Sequence, residues 1–154
     1  MSDSNSELII SQPNAPARTD LFQQSPREMV AHASELATVL KDVIVKQKLS
    51  VRIGPNEYVK AEGWSTLGCM LGILPREKSV VEHADGSYEA VVELYSLKTG
   101  AIVGQGSALC GSDEQRWGKA DRFARRSMAI TRATGKAYRL GLSWIVTLAG
   151  YAPT

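Results

Sequence analysis

From Gly104 onward, every second residue of the segment Ala101–Cys110 is small: Gly104, Gly106, Ala108 and Cys110 share one face of a strand, with Ile102 ahead of them. Successive strand side chains point to opposite faces, so this strand offers one surface almost without bulk. Another backbone can approach such a surface closely. The segment that follows suits the task, because Trp117–Tyr151 contains no proline and is rich in the helix formers Ala, Arg, Met and Leu. A smooth strand followed by so long a helix restricts the fold severely, since the helix is expected to lie across the sheet that contains the strand.

The residues upstream supply that sheet. Arg76–Ala84, Ser87–Leu97 and Ala101–Cys110 alternate with period two, and Tyr88, Ala90, Val92 and Leu94 share a face. Asp85-Gly86 reads as a two-residue hairpin, and Lys98-Thr99-Gly100 as a three-residue one with glycine left-handed. The result is an antiparallel three-stranded meander with a helix across it. Ahead of it, Ser25-Pro26-Arg27-Glu28 has the form of a capped helix start, and Met29, Ala33, Leu36, Leu40 and Val43 recur at helical spacing to about Lys46. Leu49–Ile53 and Glu57–Ala61 make a hairpin around Gly54-Pro55-Asn56. Gly63–Gly72 is a short helix with Trp64, Leu67 and Leu71 inward, stopped by Gly72 and Pro75. The class is α+β, with a flexible tail over residues 1–24 and a single domain over 25–154.

Charge is distributed unevenly. Arg116, Lys119, Arg122, Arg125, Arg126, Arg132, Lys136 and Arg139 fall in or next to the long helix, nearly half of the chain's 18 Lys and Arg, against one acid, Asp121. The net charge is only +2, so the excess is local. On a helical wheel Phe123, Ser127, Ile130, Thr134, Ala137 and Tyr138 fall on one side, expected to face the core. Arg125, Arg132, Lys136 and Arg139 cluster opposite, with Lys119, Arg122 and Arg126 beside them. Solvated helix faces ordinarily mix signs, and like charges one turn apart destabilise a helix by a few tenths of a kcal/mol per pair. An unmixed stripe therefore points to a polyanion. Single-stranded nucleic acid is held by basic grooves with aromatic platforms. The phosphate-contact candidates are Arg125, Arg132, Lys136 and Arg139, with Arg52 and Lys60 weaker; Tyr58, Tyr95 and Trp117 are stacking candidates, although each is more commonly core.

Catalytic patterns are not found. His32 and His83 stand apart from each other and from the cysteines, and His83, beside a turn, is expected to be solvated. Glu89 and Glu93 share a strand face, where solvated charges are far commoner than a shared metal. Gly104-Gln105-Gly106 is not followed by the helix N-terminus that a phosphate loop needs. Cys69 and Cys110, the only cysteines, are expected to be small buried apolar side chains rather than a disulfide or zinc site. No enzyme, cofactor or metal is expected. With no signal peptide and no apolar run of about 20 residues, the expected location is a reducing cytoplasm.

Three segments together resemble a known group: Glu57–Ile73 (EYVKAEGWSTLGCMLGI), Tyr88–Cys110 (YEAVVELYSLKTGAIVGQGSALC) and Ser127–Tyr151 (SMAITRATGKAYRLGLSWIVTLAGY). They look like phage and cyanobacterial single-strand DNA binding or annealing proteins of the Rad-type annealing superfamily, which includes the eukaryotic ring-forming annealing protein and several phage recombinases. The resemblance spans about residues 49–151, and the SMA-x-TRA-x-GKA-x-R pattern is its most specific part. It implies a β-β-β-α core, subunits joined into rings or helical arcs, DNA held in a continuous basic groove, and neither cofactor nor ATP hydrolysis. Arg132, Lys136 and Arg139 match the group's basic helix positions, and Trp64 and Gly72 its structural ones. The expectation is a non-enzymatic, oligomeric protein that binds and anneals single-stranded DNA, with RNA as a possible second strand type, in recombination, repair or phage and plasmid replication in a bacterial or phage-infected cell. The alternative is a structural or adaptor subunit of a larger nucleoprotein complex, binding nucleic acid without annealing it. A small hydrolase built on Glu89 and Glu93 ranks far below both.

Overall fold

The computed structural model describes residues 21–153. The expected tail over 1–24 lies mostly outside those residues, but its end does not behave as a tail. Leu21–Gln23 form a short 3-10 turn and Leu21 is 2% exposed, packed into the core beneath the first helix.

Helix α1 spans Pro26–Gln47. Ser25 caps it, its hydroxyl accepting from the Glu28 N–H at 3.4 Å, and Pro26 sits where no intrahelical N–H is required. Its buried stripe is Ala33, Ala37, Leu40 and Ile44, one residue round from the expected Leu36 and Val43, which are half-buried. A two-stranded antiparallel hairpin follows, β1 (Ser50–Ile53) and β2 (Asn56–Val59), with Gly54 at φ 61° in its two-residue turn. Helix α2 (Ala61–Leu71) starts two residues earlier than expected and ends on left-handed Gly72, with Trp64 and Leu67 buried and Leu71 half-buried.

The meander is β3 (Ile73–Glu82), β4 (Tyr88–Ser96) and β5 (Ile102–Cys110), antiparallel in sequence order. Its second turn has the expected left-handed Gly100, at φ 72° with its N–H on the Ser96 carbonyl, but spans four residues rather than three, because Ser96 pairs with Ala101 and the Leu97 N–H turns away to the Gly72 carbonyl. The first is wider than a two-residue hairpin, because the last β3–β4 pair is Glu82 with Tyr88. There the Asp85 carboxylate accepts from the Ser87 N–H and hydroxyl at 2.9 and 3.0 Å, a local turn that competes with tight pairing. These bonds lower the Asp85 pKa.

Helix α3 (Arg122–Leu148) lies across β5 and β4, as the small strand face requires. A Cβ on Gly106 would collide with the Ala137 backbone nitrogen and come within 2.7 Å of the Ala133 carbonyl oxygen, so the two backbones touch there. Ala129 and Ala133 complete this seam with Tyr88, Ala90, Val92 and Cys110. Beyond it the helix is covered on its other side: Tyr138, Leu142, Ile145 and Val146 pack on Leu40, Ile44, Trp64 and Leu67 of α1 and α2. After the helix, Tyr151 is buried and the Ala152 N–H bonds the Glu57 carbonyl, which ties the β1–β2 hairpin to the end of α3.

This double burial corrects the single inward face expected for α3. Phe123 is 71% exposed and Ser127 is also exposed, while Ala129, Ala133, Leu142 and Val146 are buried. The helix faces the sheet along one direction in its first half and α1 and α2 along nearly the opposite direction in its second. One averaged apolar direction cannot represent both.

Candidate nucleic-acid interface

Helix α3 holds six cations and no Asp or Glu in its 27 residues. Their environments differ with height. In the first turn, Arg122 donates from Nη2 and Nε to the two Glu82 carboxylate oxygens at 2.6 and 3.1 Å, and from Nε to the Tyr88 hydroxyl at 3.3 Å. The Arg122 bonds lower the Glu82 pKa, and Glu82 in turn raises that of Arg122. Arg126 stands 3.9 Å from Glu77.

Arg125, a phosphate candidate by sequence, is half-buried and fastens loops. Its Nη1 donates to the Ala120 and Gly118 carbonyls at 2.7 and 3.4 Å, and its Nε to the Gly86 carbonyl at 3.2 Å. Arg132 grips Glu114 with two parallel bonds, Nη2 to Oε1 at 2.8 Å and Nη1 to Oε2 at 2.9 Å, and Nη1 also reaches the Leu109 carbonyl at 2.9 Å. The Gly111 N–H completes the Glu114 site at 2.6 Å. Arg132 and this N–H hold the Glu114 carboxyl down to about 2. Glu114 is not visible as a partner in the sequence because it lies 18 residues from Arg132, beyond any helical spacing.

Lys136 and Arg139 have no carboxylate partner among the described residues. Lys136 is exposed. The Arg139 guanidinium lies over the Trp64 ring, 5.9 Å from its centroid, and its Nε is buried without a hydrogen-bond partner among the described residues. Lys60, the N-cap residue of α2, is exposed and lies on a different element from Lys136 and Arg139. Arg52 does not join them: it is exposed near the tip of the separate hairpin, across from Glu57. Of the six sequence candidates, then, Lys136 and Arg139 share one flank of α3 without a carboxylate partner among the described residues, Arg125 and Arg132 are engaged inside the fold, and Lys60 and Arg52 lie on other elements.

The aromatic candidates are half-buried: Tyr58 accepts a bond from Asn56, Tyr95 lies under Arg76 at 5.6 Å, and Trp117 lies under Arg116 at 5.0 Å. Among the described residues the aromatic ring open to solvent is Phe123, which the helical wheel turns inward. On the outer sheet face Glu93 meets Arg76 and Lys78 at 3.3 and 3.4 Å, and Glu89 meets His83 at 2.9 Å, so these two acids are paired separately. Among the described residues no three His, Cys, Asp or Glu converge as a metal site. Cys110 is buried, and desolvation pushes its thiol pKa up. Cys69, expected to be buried, is exposed, because α2 turns Trp64, Leu67 and Gly68 inward instead. No helix among the described residues is long and apolar enough to cross a membrane. No family model, curated protein or solved structure matches the chain.

Proposed function

We propose that this chain is a non-enzymatic single-stranded DNA binding and annealing protein of the Rad-type annealing kind that Ser127–Tyr151 resembles, acting in recombination, repair or phage and plasmid replication. The observation that carries the reading is α3: six cations and no acid over 27 residues. Carboxylates from β3 and the loop after β5 answer three of those cations, and among the described residues none reaches Lys136 or Arg139. These two form the part of α3 best able to neutralise a phosphate backbone. A strand whose phosphates are neutralised on one side keeps its bases available for a complementary strand.

An oligomer fits the same reading. Among the described residues both outer strands of the meander, β3 and β5, have a free edge, and an apolar cleft of about 370 Å³ opens between Ile73, Leu94, Val103 and Leu140. Leu140 is 67% exposed beside it. A second copy of the chain, presenting a different edge, would cover this surface head to tail, the arrangement that closes rings.

Titration of a dT oligonucleotide across a salt series, followed by an annealing assay with complementary strands, tests the proposal. Replacing Lys136 and Arg139 by alanine should flatten the slope of log affinity against log salt by roughly 0.7 for each phosphate that is no longer neutralised. A folded double variant with an unchanged slope would overturn the reading. Tight binding with no acceleration of annealing would favour the adaptor alternative. Light scattering should give a mass several times 16.7 kDa.

A further inference from the structure

Three N–H groups converge on the Glu114 carboxylate: two from the Arg132 guanidinium at 2.8 and 2.9 Å and the Gly111 backbone N–H at 2.6 Å. Such a fork plus a backbone donor suits any planar or tetrahedral oxyanion, a phosphate as well as a carboxylate. The position of the site matters as much as its chemistry. Arg132, Lys136 and Arg139 stand at i, i+4 and i+7 on α3, hence on one flank, and a polyanion that followed Arg139 and Lys136 would meet Arg132 next. In this structure that third place is filled by the chain itself. Glu114 comes from the loop between β5 and α3, and the same loop is fastened again through Arg125 to the Gly118 and Ala120 carbonyls. It therefore keeps an anchor if the Glu114 pair opens.

We propose that the Arg132 fork and the Gly111 N–H form a phosphate-binding site that Glu114 occupies as an internal stand-in, and that a nucleic-acid backbone phosphate takes over when the carboxylate swings away. The loop is then a latch on the interface. It shortens the basic track by one cation: with a strand seated on Lys136 and Arg139 of the unmodified chain the pair stays closed, and Arg132 meets a phosphate only once the carboxylate is lost. A weak or misplaced anion does not open it, because a single anion must displace a two-pronged pair unaided. This inference rests on the single-stranded DNA reading given above.

Glu114→Gln tests it. The amide keeps the shape and can still accept the Gly111 bond, but it removes the charge that holds the guanidinium. Binding of a dT oligonucleotide should tighten about fivefold at about 0.1 M salt, and the salt slope should steepen by roughly 0.7, the signature of one more neutralised phosphate. Adding Arg132→Ala to Glu114→Gln should return the slope to that of the unmodified chain, whereas Arg132→Ala alone should leave it nearly unchanged. Arg132→Lys, which keeps the cation and gives up the two-pronged grip, carries the same expectation as Glu114→Gln if the latter fails to fold. A folded Glu114→Gln protein with the original slope overturns the latch and leaves the DNA reading standing. So does a gain that survives in the Glu114→Gln/Arg132→Ala protein, since the gain would then come from net charge alone. If neither the unmodified chain nor Glu114→Gln binds the oligonucleotide, both the latch and the DNA reading fall.

Discussion

The two halves of α3 are held by opposite kinds of packing. In the first half Ala129 and Ala133 lie against the backbone of β5 at Gly106, with solvent on the far side at Phe123, Ser127 and Thr131. In the second half Tyr138, Leu142, Ile145 and Val146 fill space between the sheet and helices α1 and α2, and the Tyr138 hydroxyl donates to the Ile73 carbonyl at 3.2 Å. Burial pushes the Tyr138 phenol up to about 12. The contrast governs the charges as well. Around the first half, strand and loop residues supply Glu82, Glu77 and Glu114, and the arginines become fasteners. Around the second half, no carboxylate of α1 or α2 reaches Lys136 or Arg139 among the described residues. A count of cations along a helix is therefore not a count of cations available to a ligand.

The sharpest way to break this contrast is to substitute each half at its tightest point. Tyr138→Ala should leave a cavity among large side chains and cost about 4 kcal/mol in urea unfolding. Gly106→Ala should fail for the reverse reason, since its new methyl would meet backbone atoms that cannot rotate away, at a cost of about 2 kcal/mol. If Gly106→Ala is tolerated at full stability, the seam is not close-packed and the two halves are alike. The cations can be separated in the same way. Arg132→Ala should lower stability by about 1 kcal/mol, a modest value for a half-exposed pair, and leave the salt slope of binding nearly unchanged. Lys136→Ala should do the reverse, with stability within about 0.5 kcal/mol of the original and a slope flatter by roughly 0.7. Equal behaviour of the two would erase the distinction between fastened and free charge.

Acid unfolding sharpens the comparison further. Glu114 titrates at about 2 in the folded chain against an ordinary 4.5, so its contribution to stability is present above 4.5 and fades as the pH falls toward 2. Glu114→Gln should be less stable at neutral pH and should show a shallower fall in stability between pH 4.5 and 2. An identical pH profile would mean that the pair contributes nothing to folding. The smallest effect is expected at Phe123. With 71% of its surface exposed, Phe123→Ala should change stability by less than about 0.5 kcal/mol, and a larger drop would place the ring against a neighbour that this structure does not contain.

Much of the fold was legible from local rules. The Ser25 cap, left-handed Gly72 and Gly100 and the small face of β5 each depend on residues close in sequence and stand where expected, whereas β3 starts at Ile73, three residues before the expected Arg76. The close approach of α3 followed directly from that face, because glycine and alanine leave a helix no obstacle at Gly106. Less was legible in the candidate site. Its charged residues could be named from their spacing, but their availability could not.

What the sequence determined by itself was the set of elements, their order, the pairing of the meander and the concentration of positive charge on one helix. Hydrogen-bond periodicity and backbone sterics act over a few residues, so these were written locally. Only the tertiary structure decided which way Phe123 faces, that Cys69 is exposed, and that Arg132 is held by Glu114 while Lys136 is not. Those outcomes depend on what is brought alongside a helix from well outside its own turns, as Glu114 is from 18 residues away. A helix buried on two faces at different heights has no single amphipathic direction for a sequence pattern to reveal.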